Sequence, residues 1–155
     1  MRPGPWRITG EIMSDMRQLQ ELFNVQRLAV LGTQSQGQPY NCLVAFAGAD
    51  DLKYLLFATK RDTRKYREVI ANPRVAILID SRSDQETVFS EALAVTALGT
   101  ASEIAAHQRE TFANIYVTKH PQLEESVHRL DVALLRIDID EYVVARFSDT
   151  RIIKP

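Results

Sequence analysis

The chain has little of what most often announces a chemistry. Among its 155 residues there is one cysteine, Cys42, so no intramolecular disulfide can form. Its three histidines, His107, His120 and His128, lack HxH, HExxH or CxxC company, and no metal site is expected. With six glycines and neither GxGxxG nor GxxxxGK[ST], a glycine-cradled nucleotide fold is excluded at motif level. A nucleophile elbow of the GxSxG type is missing too. Net charge is −1, which gives no global basic field for nucleic acid or an acidic membrane. No run approaches the roughly 18 apolar residues of a membrane span. The opening MRPGPWRITG carries no apolar core of a secretory signal, so the expected compartment is a reducing cytoplasm.

What is present is an ordinary globular composition, 45% hydrophobic and 25% charged, enough for one domain with a real core. The expected layout is an N-terminal arm over residues 1–10, anchored by Trp6, and a single domain over 11–155. The most informative stretch is 54–80, YLLFATKRDTRKYREVIANPRVAILID. Residues 54–58 are an apolar strand. Residues 64–71 place Tyr66, Val69 and Ile70 at i, i+3 and i+4, the spacing of one buried helical face. Asn72-Pro73 stops that helix, because the residue before proline is pushed out of helical geometry. Residues 75–79 are a second strand.

The turn between them concentrates Lys60, Arg61, Arg64, Lys65 and Arg67. Asp62 or Thr63 is the expected N-cap, which puts Arg64 and Lys65 in the first helical turn. Cations there oppose the helix dipole by roughly 0.3–1 kcal/mol each. An anion held by free N–H groups, a threonine hydroxyl and two cations would reverse that cost. A solvated basic turn is the plain alternative.

The rest reads as hairpins around this unit. A helix at 14–23, capped by Ser14, repeats Met16, Leu19, Leu22 and Phe23 at helical spacing. Strands follow at 27–33, 38–47 and 52–59, then at 87–102, 133–139 and 141–147. Gly99 inside the long strand marks a bulge. Helices are expected at 103–117 and 122–128, and a polar tail at 149–155. Residues 81–86 form a polar loop. One helix among hairpins argues for a mainly antiparallel sheet.

Thr59, Arg64-Lys65 before a short helix, and Asn72-Pro73-Arg74 opening an apolar strand resemble the FMN-binding split-barrel superfamily of pyridoxamine 5'-phosphate oxidase. The likeness extends through LAVLGTQSQGQPYNCLVAF (28–46) and LGTASEI (98–104). It implies a mainly β (α+β) fold, a split antiparallel β-barrel with flanking helices. It also implies a homodimer with FMN at the subunit interface. The cofactor-binding residues it implies are Asn41, Cys42, Leu43 and Val44 along the ring, Ala58 and Thr59 near the ribityl chain, and Thr59, Lys60, Arg64 and Lys65 at the phosphate. Lys60 and Arg61 rank below Arg64 and Lys65. Cys42 in its apolar strand is expected to pack, not to react. The His120-Pro121 pair, which the family shares after its helical excursion, is expected to be architectural.

Two departures separate this chain from the oxidase. Ala94 stands where the oxidase has a glutamine, five residues before the strand glycine. The terminal Arg-x-His substrate motif is missing, since Arg146 is followed by Phe147-Ser148 and Arg151 by Ile152-Ile153. The expectation is therefore an FMN-dependent oxidoreductase on another small substrate. Deazaflavin or haem in the same fold, a non-enzymatic stress-type flavin binder, and a nucleic-acid module using the basic turn are the rivals.

Overall fold

The computed structural model describes residues 10–81, 92–146 and 149–155. The arm expected before Gly10, with Trp6, lies outside them, as do most of the loop expected at 81–86 and the start of the strand expected from 87. Helix α1 (Gly10–Val25) leads into the hairpin β1 (Leu28–Ser35) and β2 (Gln38–Gly48). The hairpin turns at Gln36 and Gly37, both at positive φ, 51° and 80°, as a two-residue loop matching strand twist requires. Then come β3 (Tyr54–Lys60), α2 (Arg64–Ala71), β4 (Arg74–Asp80) and β5 (Ala94–Glu103). Helices α3 (Arg109–Lys119) and α4 (Glu124–Val127) precede β6 (Val132–Arg146) and β7 (Asp149–Ile153).

The strands lie in the order β3-β2-β1-β4-β5-β6-β7, all antiparallel, and β3 pairs with β6 from Tyr54↔Asp138 to Lys60↔Val132. That pairing closes six strands into a barrel with flanking helices, the expected split-barrel fold. Its interior is filled by Leu31, Phe46, Phe57, Ile77, Val95, Ile137 and Tyr142, all buried. Helix α1 closes one end with Leu19, Leu22 and Phe23, Phe23 meeting the rings of Phe46 and Tyr142 at 5.8 and 5.7 Å. Helix α2 covers the opposite end, where β1 finishes and β2 begins. Strand β3 and the start of β6 are buried on both faces, since Leu56 and Leu134 pack outward against Tyr116, Ala113 and Val127 of α3 and α4. Two buried faces explain the apolar runs at 55–58 and 132–135.

Several expectations need correction. The helix expected from 103 begins at Arg109. Glu103 still belongs to β5, and the Ile104 N–H donates to the Leu134 carbonyl at 2.9 Å, which keeps the chain extended. The two strands expected at 133–139 and 141–147 are one. Opposite Leu98 and Gly99 the register steps from Glu141 to Ile139, so Asp140 is a bulge residue and not a turn. The tail expected at 149–155 forms β7, pairing Tyr142↔Ile153 through Arg146↔Asp149 and burying Ile153. Ser14 lies inside α1 and does not cap it.

His120 is buried, and its Nε2–H donates to the Phe46 carbonyl at 2.7 Å, while Nδ1 has no partner among the described residues. A carbonyl can only accept, so the ring is the neutral Nε2–H tautomer. Burial pushes its pKa down. Next to it, Lys119 Nζ donates to the Phe23 carbonyl at 2.5 Å and sits 3.7 Å over the Phe46 ring, docking α3 on the end of α1. Burial draws the Lys119 amine down to about 8. The His120-Pro121 step is thus architectural.

Candidate functional site

Strand β2 is paired along residues 38–45 with β1, but it meets β3 only at Phe46↔Phe57, Ala47↔Leu56 and Gly48↔Leu55. Beyond Phe46 the two strands part. The Tyr116 hydroxyl, from α3, fills the fork: it donates to the Ala45 carbonyl at 3.2 Å and the Ala58 backbone bonds the phenol oxygen. Burial raises this phenol to about 12, so it is a strut and not an acid. The opening is a cleft of roughly 310 Å³. Leu43, Val44 and Ala45 form one wall and Ala58, Thr59 and Lys60 the other. Thr63 and Lys65 stand at its mouth, and Leu123, Ser126 and Val127 cover its side.

The polar end is built by the start of α2. Thr63 is the N-cap, its Oγ1 accepting from the Tyr66 N–H at 3.3 Å and donating to the Lys60 carbonyl at 2.9 Å. Thr59 Oγ1 lies 2.9 Å from Thr63 Oγ1. The N–H groups of Arg64 and Lys65 have no hydrogen-bond partner among the described residues, as the first turn of a helix dictates. Thr59, Thr63 and Lys65 therefore share one side of the cleft, at the free N-terminus of α2.

The structure thus gathers Leu43, Val44, Ala58, Thr59, Lys60 and Lys65 of the expected residues around one cleft. It places the other three elsewhere. Cys42 points under α2, with its Sγ 3.8 Å from the Leu31 carbonyl, and burial first of all raises its thiol pKa. Asn41 is exposed on the outer face of the barrel, where its side chain lies over Gly32. Arg64 turns away from the cleft, its Nε donating to Glu68 Oε1 at 2.7 Å and its guanidinium 4.0 Å over the Tyr40 ring. Arg61 is also occupied. It bonds the Leu130 and Val132 carbonyls at 2.6 and 3.1 Å and pairs with Glu103, which also accepts from Tyr66.

Helix α2 is rotated from the expected face. Val69 is buried and Tyr66 half-buried, but Ile70 is 54% exposed and Glu68 is buried at 7%. Glu68 Oε2 accepts from Thr33 Oγ1 at 2.5 Å, and this bond, followed by Arg64, holds its carboxyl below the usual range. Tyr116, Ser126 and Thr63 complete the cleft. Only Thr63 had a local signal, its position before the helix. Tyr116 and Ser126 arrive from elements some sixty residues further along the chain, where no short motif could link them to the cleft. Among the described residues no cluster of three or more His, Cys, Asp or Glu is arranged to hold a metal ion.

The pyridoxamine 5'-phosphate oxidase family profile matches residues 16–144, and the chain belongs to that family. Solved structures of low identity share the fold. A haem-binding protein from Mycobacterium smegmatis superposes with a TM-score of 0.79 at 12% identity, covering 99% of this chain and 59% of that one. General Stress Protein 26 from Bacillus anthracis gives 0.68 at 20%, covering 92% and 100%. A FAD-binding protein from Mesorhizobium loti gives 0.64 at 17%, covering 81% and 88%. No curated protein matches at the sequence level.

Proposed function

We propose that this chain binds FMN in the cleft between β2 and β3 and serves an oxidoreductase reaction on a small molecule. The observation that carries this is the polar end of the cleft, where Thr59, Thr63 and Lys65 line one volume at the start of α2, whose first-turn amides are free. Lys65 would neutralise the phosphate and the free amides would donate to it, the Thr59 and Thr63 hydroxyls turning from their present partners to do the same. The open edge of β2 at residues 43–45 offers backbone groups to the polar rim of the flavin, and Val127 and Leu123 offer an apolar face. Bound flavin supplies the redox chemistry; these residues bind it, orient it and shield one side from water. Haem ranks lower because among the described residues no histidine, cysteine or methionine lines the cleft, and Tyr116 is engaged with Ala45.

The cleft is open on its outer side, and an apolar surface continues from it. Leu43 and Leu28 are 64% and 56% exposed, and Val30 and Leu78 adjoin them in register. We propose that a second copy of the chain covers this face and completes the flavin site. FMN titration of the wild type and of Lys65→Ala tests the site. Loss of one charged phosphate contact should weaken binding about ten- to hundredfold. Equal affinity would remove Lys65 from it. Turnover of reduced nicotinamide with an acceptor separates an enzyme from a flavin carrier, and tighter binding of deazaflavin than of FMN would change the cofactor.

A further inference from the structure

Arg64 and Lys65 are adjacent on a helix, so their side chains leave it about 100° apart. Lys65 lines the cleft, while Arg64 is held off it by two partners. Its Nε donates to Glu68 at 2.7 Å, its guanidinium stacks 4.0 Å over Tyr40, and Glu68 is itself fixed by Thr33 at 2.5 Å. A buried carboxylate is an expensive thing to place on a short helix unless its charge is matched. Here Arg64 matches it, and the pairing removes one cation from the anion site.

We propose that Glu68 is a positioning residue that withholds Arg64 from the cleft, leaving the flavin phosphate to Lys65. This rests on the phosphate reading given above. Arg64 is then a reserve cation, and the preference for FMN over riboflavin, which lacks the phosphate, is smaller than the basic turn alone would give. Breaking the Glu68 pairing should release Arg64 toward the anion.

The test measures the affinities of FMN and riboflavin for wild type, Glu68→Gln, Arg64→Ala and the double variant, at low and moderate salt. Glu68→Gln keeps the shape and one acceptor oxygen, but it loses the charge and the second acceptor that together hold Arg64. It should tighten FMN about five- to tenfold, leave riboflavin within about twofold, and steepen the salt dependence of FMN binding. Adding Arg64→Ala should cancel that gain, a dependence that a general packing change would not show. Unchanged or weaker FMN binding in folded Glu68→Gln overturns the proposal. If Glu68→Gln does not fold, Arg64→Ala decides: a change under about threefold supports the proposal, and a tenfold loss shows Arg64 on the phosphate and overturns it. Wild type that fails to prefer FMN over riboflavin overturns the phosphate reading and this inference with it. A clear FMN preference with no response to Glu68→Gln overturns this inference alone.

Discussion

At the residue scale the chemistry is set by where burial forces a choice of partner. His120 gives its one proton to Phe46 and leaves Nδ1 bare, so charging the ring would place an unpaired N–H in the core. Its folded pKa is lowered from 6.5. Between 6.5 and that lower value the unfolded chain binds the proton and the native one does not. Stability is therefore intact above 6.5 and falls as the pH drops below it. Urea midpoints at pH 7 and 5 should show this loss, and His120→Gln should reduce the difference; an unchanged difference would assign it to other groups. That Ala58, Thr59, Lys60 and Lys65 share one cleft was legible, because a strand end followed by a capped helix brings them together. The pairing of Arg64 with Glu68 was hidden for the same reason that the exposure of Ile70 was. The i, i+3, i+4 pattern assumes that an apolar residue outranks an acid for the buried face, and the Thr33 hydroxyl reverses that order for Glu68.

At the element scale the boundaries of α2 were legible because Thr63 and Asn72-Pro73 are local stops. The continuity of β6 was not. Asp138, Asp140 and Glu141 have the composition of a turn, and only the partner strand makes Asp140 a bulge. Gly99 was the visible half of that feature. A Cβ there would lie 2.2 Å from the Asp138 carbonyl oxygen, a backbone group that cannot step aside. Gly99→Ala should lower stability by about 3 kcal/mol, read as a fall in the denaturation midpoint. A near-neutral result would mean that the bulge relaxes. Tyr116 is the corresponding device for the cleft, bridging Ala45 and Ala58 where β2 and β3 diverge. Tyr116→Phe leaves those backbone groups to find other partners and should cost about 1–3 kcal/mol. It should also weaken FMN, because the fork that shapes the cleft loosens. Destabilisation without any effect on FMN would separate the strut from the site.

At the scale of the whole molecule, hairpin order and a single intervening helix were enough to indicate a mainly antiparallel barrel. The β3–β6 pairing that closes it joins strands far apart in sequence and carries no local mark. Such a barrel has an inside, filled by its core, and an outside that is apolar from Leu28 to Leu43. If a second copy covers that face, the protein should sediment as a dimer, and Leu43→Lys should shift it toward monomer and lower FMN retention together. A monomeric wild type would leave the cleft one-sided. The most direct test of the central claim is the visible spectrum of the purified protein after FMN is added and the mixture is gel-filtered. Flavin absorption co-eluting at about one per subunit, and lost in Lys65→Ala, is the predicted result. A protein that emerges colourless, or whose flavin is retained regardless of Lys65, would contradict it.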